Sequence, residues 1–364
     1  MKRDKKSGSA AARRHGLGMG LVVLGLAGGL AAQAPAPASG GRGGGRAQPC
    51  AVAGNDNAFV GITTTRLWAG AAPEAKGDTC FDIPTLTEVA PFGAGNGTAV
   101  LIFPGGAYLG LASTLEGSEV ADWFAARGVR AYVVAYRLAS HGYLLPVPLL
   151  DARRAIQTVR AGAAEEHVDP NRIGVVGFSA GGHLAALAST QFAAGDPAAA
   201  DPIERVSSRP DFAVLGYPWI GAISTDTSHL SYCKLFNVMD QCDALAAKYS
   251  PDLFVTAQTP PTFIYATTSD QTVPIQQELG YYGALLKAGV SVEMHIFAHG
   301  PHGTGLGSGD PVLDQWPGLL ESWLRQQGLL DRSAALGPPP GMRGGMRGGA
   351  RGGMPSPGGG PQAR

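Results

Sequence analysis

The sequence predicts an α/β architecture: a mostly parallel central sheet, helices on both faces, and a short insertion over the sheet's C-terminal edge. Three observations carry that prediction. Short, continuous apolar runs recur along the chain, as strands buried on both faces require. Helix-patterned stretches separate them, which is the alternation of crossover units. That rhythm breaks once, between Pro218 and Pro260, where an inserted segment is expected.

Ala99-Val100-Leu101-Ile102-Phe103 is the first such run, and it ends in Pro104-Gly105-Gly106. Glu116 to Ala126 has helical spacing through Val120, Trp123 and Phe124, with Gly128 placed to cap its C-terminus. Ala131 to Tyr136 reads as a strand and Leu150 to Glu166 as a helix. Ile173 to Phe178 is a third strand, and Gly181 to Ser189 opens the next helix. Phe212 to Leu215, Thr262 to Ala266 and Val290 to Phe297 supply further strands. Val273 to Ala288 and Leu313 to Gln326 supply the remaining helices.

With 364 residues and 45% hydrophobic content, the chain can bury a large core and is not disordered as a whole. Residues 1–34 read as an export signal: six basic groups, an apolar run from Leu17 to Ala31, then Ala32-Gln33-Ala34 as a cleavage site. Arg13-Arg14 leaves the Sec and Tat routes both open. Beyond that leader no apolar run approaches the roughly 18 residues of a membrane span, so no membrane association is expected after cleavage. Residues 35–49 form a Gly/Pro-rich linker, 50–335 the folded domain, and 336–364 an Arg/Gly-rich tail too poor in apolar surface to fold. The formal net charge is zero, yet twelve basic groups and only one acid, Asp4, lie in the two ends. The domain therefore carries 16 basic and 27 acidic groups, a surface unsuited to nucleic acid. Four Cys are too few for a disulfide scaffold and lack zinc spacing; neither a metal nor a cofactor is expected. In an oxidising compartment they should pair as Cys233–Cys242 within the insertion and Cys50–Cys80 at the N-terminal extension.

The strongest chemical signal is Gly177-Phe178-Ser179-Ala180-Gly181, a G-x-S-x-G run between an apolar strand and a helix. A serine on such a turn is lifted above the sheet edge, and the helix N-terminus favours negative charge beside it. A serine nucleophile needs a base, an orienting acid and oxyanion donors. Donors are expected from Gly106 and Ala107 in the loop Pro104 to Tyr108, together with the Ala180 N–H. The acid candidate is Asp270, just past the strand Thr262 to Ala266. His295, His299 and His302 are candidate bases: His295 alternates within a strand and reads as structural, while His302 has the glycine flanks of a mobile loop and is favoured over His299. The order Ser179…Asp270…His302 is that of α/β-hydrolases.

Taken together, these motifs resemble the α/β-hydrolase esterases grouped with acetylxylan esterases and feruloyl-esterase-like carbohydrate esterases. The likeness runs from about Leu67-Trp68 to Leu330 and rests also on Tyr136-Arg137, Asp151 to Ala155, Tyr217-Pro218, Thr259 to Thr262, Ala288-Gly289-Val290 and Gly300 to Gly303. It implies nucleophile, acid and base roles for Ser179, Asp270 and His302, oxyanion roles for Gly106 and Ala180, and acetylated sugars or short acyl esters as substrates. Ala107 departs from the third glycine usual in that family. Feruloyl or other carboxylic esters are the rival substrates, and a catalytically silent binding protein is the rival outside enzymes. His183 reads as structural, Arg137 and Asp151 as a buried ion pair; Tyr217 and Trp219 suit either sugar stacking or core packing.

Overall fold

In the computed structural model, residues 62–226 and 228–336 are described. The expected leader, the linker, Cys50 and all of the tail except Leu336 lie outside them. The elements run β1 (Ile62–Arg66), β2 (Thr85–Val89), β3 (Ala99–Phe103), α1 (Glu119–Ala125), β4 (Arg130–Ala135), α2 (Val147–Ala161), β5 (Ile173–Phe178) and α3 (Ser179–Thr190). They continue with β6 (Phe212–Gly216), α4 (Tyr232–Leu235), α5 (Cys242–Tyr249), β7 (Thr262–Thr267), α6 (Gln276–Lys287), β8 (Val292–Phe297) and α7 (Trp316–Gln326). Among the described residues the strands form one sheet ordered β1-β2-β4-β3-β5-β6-β7-β8. Every pair from β4 to β8 is parallel, and β1–β2 and β2–β4 are antiparallel.

Alternation along β3 shows why its run is apolar throughout. Ala99, Leu101 and Phe103 face a core shared with α2, α3 and α6, whereas Val100 and Ile102 face a second core under α1 and α7. Both faces are covered, so neither register position tolerates a polar group. β1 and β2 escaped the sequence reading because their residues, ITTTR and TLTEV, are rich in threonine and lack a continuous apolar run.

Helix boundaries moved for local reasons. α2 begins at Val147, with a proline in its first turn, and stops before Gly162, short of the expected Glu166. The segment expected to open a helix at Glu116 instead makes a wide turn over Thr114–Ser118, with Ser118 N–H donating to Ser113 O, before α1 begins. Gly128, left-handed at φ 76°, follows α1 as foreseen.

The inserted segment between β6 and β7 is tied down at several points. Trp219 N–H donates to Ser179 O (2.9 Å), Tyr232 packs edge-on against Tyr108 (5.6 Å), and Tyr249 O bonds His183 (2.8 Å). Cys233 and Cys242 are disulfide-bonded and buried, which joins α4 to the start of α5. Cys80 is disulfide-bonded as well; its expected partner is the undescribed Cys50. Trp219 is fully buried and Tyr217 2% exposed, so neither offers a face to a sugar; both are core residues.

Candidate active site

Ser179 follows β5 directly and is the first residue of α3, two positions earlier than the helix start read from the sequence. Its φ of 51° puts it in the left-handed region, which costs a non-glycine residue roughly 1–3 kcal/mol and is held only by surrounding packing. That packing leaves no room at Gly181. A Cβ there would overlap the carbonyl oxygen of Phe103 and lie 2.6 Å from that of Pro104. The glycine lets α3 start flush against the end of β3, bringing the serine beside the loop that follows β3.

The sheet then delivers two more side chains to the same edge. Asp270 lies three residues past β7, with its Oδ1 accepting the N–H groups of Thr272 (2.7 Å) and Val273 (3.0 Å). His302 lies five residues past β8, and its Nδ1–H donates to Asp270 Oδ2 at 2.6 Å. Because Nδ1 carries the proton, Nε2 is an acceptor, and Ser179 Oγ–H donates to it at 2.7 Å. Burial pushes the Asp270 carboxyl up, but the bonds from His302 and the two amides outweigh it and hold the group below the usual range. A fixed anion therefore stands ready to stabilise an imidazolium.

Beside Ser179, Gly106 and Ala107 have φ of 129° and 55°, and neither N–H has an acceptor among the described residues. Gly106 is solvent-exposed there. The Ala180 N–H is in the first turn of α3, where no intrahelical acceptor exists. Ala107 is half-buried, so its methyl packs on the core rather than standing free in solvent.

The other histidines lie elsewhere. His299 is exposed, and His295 Nε2 pairs with Glu293 (2.8 Å) on β8. His183 is fully buried: its Nε2–H donates to Tyr249 O (2.8 Å), so Nδ1 accepts from Tyr108 OH (2.8 Å). Burial pushes its pKa down to about 4. Between the ordinary value near 6.5 and that value, the unfolded chain binds a proton the folded one refuses, so stability rises with pH. The unfolding free energy from urea titrations should thus fall from pH 7 toward pH 4 by about 3 kcal/mol from this group, at about 1.4 kcal/mol per unit. His183→Asn should flatten that limb, and an unchanged slope would refute the assignment.

Arg137 and Asp151 form the expected buried pair, Nη2 to Oδ1 at 2.7 Å. Next to it, Tyr136 OH donates to Pro104 O (2.6 Å) and steadies the loop after β3. The sequence reading overlooked Glu116, whose buried carboxylate accepts from Gly105 N–H and from Tyr217 OH, both at 2.7 Å. Its only sequence signal is an acid at the head of a segment whose spacing faces the core.

A family model described as an alpha/beta hydrolase fold matches residues 100–306. An acetylxylan esterase of Xylanibacter ruminicola is 33% identical over 234 residues, covering 63% of this chain and 46% of that protein. Endo-1,4-beta-xylanase B of Butyrivibrio fibrisolvens is 28% identical over 225 residues, covering 60% and 34%. The chain thus spans less than half the length of these two curated relatives. The crystal structure of an acetyl ester-xyloside bifunctional hydrolase from Caldicellulosiruptor lactoaceticus superposes with a TM-score of 0.65 at 36% identity, over 73% of this chain and 97% of that one. The order of the sheet, the turn that carries Ser179 and the extent of these matches agree: the chain belongs to the α/β-hydrolase family.

Proposed function

We propose that the protein is an exported serine esterase that removes short acyl groups, acetyl foremost, from xylan or a related polysaccharide. The observation that carries the reading is the unbroken chain Ser179–His302–Asp270 beside open backbone N–H groups. Ser179 Oγ attacks the ester carbonyl while its proton passes to His302 Nε2. Asp270 holds the resulting cation, and the N–H groups of Gly106, Ala107 and Ala180 receive the oxyanion. The alcohol leaves with the proton from His302. Water, deprotonated by the same nitrogen, then attacks the acyl-enzyme and releases the acid, and Ser179 regains its proton. The polysaccharide side rests on the acetylxylan esterase and xyloside-hydrolase relatives; export rests on the sequence of residues 1–34.

The test is hydrolysis of p-nitrophenyl esters from acetate to octanoate, followed by acetate release from acetylated xylan. If the acyl side is shaped for acetyl, kcat/KM should fall stepwise along the series, each CH₂ changing it by about 10-fold or more once the pocket is full. Ser179→Ala should abolish turnover. Equal rates for wild type and Ser179→Ala would favour a silent binding protein, and an optimum at octanoate or preference for feruloyl esters would discard the acetyl assignment.

A further inference from the structure

We propose that Glu116 is a positioning residue that clamps the two halves of the site together, holding the loop after β3 and the loop that carries His302 in fixed register. The proposal rests on the esterase reading above and assigns that site a part it lacked. Glu116 Oε2 accepts from Gly105 N–H, next to the oxyanion donor Gly106. Its Oε1 accepts from Tyr217 OH, and Tyr217 Oη in turn accepts from Gly305 N–H (2.8 Å), three residues past His302. The Tyr217 ring stands edge-on to the His302 ring, with centroids 5.0 Å apart. Gly305 is anchored from behind, since its carbonyl accepts from Tyr265 OH (2.7 Å) and Trp316 Nε1–H (3.1 Å). One carboxylate therefore links β3's loop, β6's loop and β8's loop.

The donor pattern suits the ionised form. Gly105 presents a donor, and Tyr217 O–H donates to Oε1 while its oxygen accepts from Gly305. A carboxylate offers an acceptor to each, whereas an amide would turn its NH₂ donor toward one of the two donors. The sequence keeps this anion 3% exposed, where burial pushes its pKa up, and no Lys or Arg pairs with it among the described residues. A buried unpaired carboxylate is costly, so a position that served packing alone would be better filled by an apolar residue. The space is also closed around it. A Cβ on Gly105 would lie 2.6 Å from Glu116 Oε2 and 2.9 Å from Ser179 Cβ, which places the clamp directly behind the nucleophile.

The experiment compares Glu116→Gln, Tyr217→Phe and the double variant with wild type and Ser179→Ala. Glu116→Gln should lower kcat for p-nitrophenyl acetate by about 10- to 100-fold, less than outright loss of an oxyanion donor, with KM within about threefold. Tyr217→Phe should lower it less, and the double variant should be no worse than Glu116→Gln, because both cut one network. Amide hydrogen exchange should quicken in peptides covering residues 103–107 and 303–307 while α3 and α7 keep their protection. A kcat within about twofold of wild type, additive effects, or unchanged exchange at either loop would overturn the clamp. Should Glu116→Gln fail to fold, Tyr217→Phe is read by the same two measures. If wild type hydrolyses the ester no faster than Ser179→Ala, the esterase reading fails, and the exchange measurement alone then decides the clamp.

Discussion

Replacing His302 by alanine is expected to lower kcat for p-nitrophenyl acetate by about four orders of magnitude or more, whereas His299→Ala should leave it within a few-fold. The difference follows from geometry, since the two residues share one loop and stand three positions apart. His302 Nε2 lies 2.7 Å from Ser179 Oγ with its other nitrogen committed to Asp270, while His299 is exposed. Without the base, the Ser179 hydroxyl is a poor nucleophile at neutral pH. Because the residues act as a unit, adding Ser179→Ala to His302→Ala should cost little more. Asp270→Asn should also lose about 10⁴-fold, since an amide there favours the tautomer that turns an N–H toward the serine. Steady-state rates on the purified variants decide it, and a larger loss in His299→Ala than in His302→Ala would show the base to be misassigned.

Gly181→Ala is expected to be the most destabilising small substitution at the site, costing upwards of about 4 kcal/mol or preventing folding. The added methyl would overlap the Phe103 carbonyl, and that oxygen cannot yield. β3 is hydrogen-bonded between β4 and β5, and its last residues carry the loop toward Gly105. Moving α3 instead would carry Ser179 away from His302. Gly283→Ala supplies the contrast on α6, where no atom lies within 4 Å of the new Cβ. There the exchange should stabilise by up to about 1 kcal/mol, because alanine is the better helix former. Urea unfolding of both proteins measures the two effects, and a wild-type midpoint for Gly181→Ala would mean that β3 and α3 are not locked as described.

What could be read from the chain was local. The buried strands announced themselves because a strand covered on both faces must be apolar at every position, as Ala99–Phe103 and Ile173–Phe178 are. The turn at Ser179 was equally legible, since its strained backbone demands glycine within two residues on either side. Asp270 and His302 could be proposed from the chain because parallel strands place the residues just past their C-terminal ends along one edge, where the structure brings both beside Ser179. β1 and β2 were not found, because an antiparallel edge rich in threonine lacks the continuous apolar signature.

By itself, then, the sequence determined the layered sheet, the turn that carries Ser179 and which strand ends face one another, all consequences of short-range periodicity and backbone sterics. Only the tertiary structure decided which distant polar groups meet. Ser179 and His302 are 123 residues apart, Glu116 and Tyr217 are 101 apart, and His183 finds its acceptor on Tyr249 across the insertion. The same closure turned Tyr217 and Trp219 inward, away from any sugar. A buried donor must have an acceptor, but nothing in the one-dimensional pattern says which. That choice is made when the sheet edge, the loops and the inserted segment close over one another.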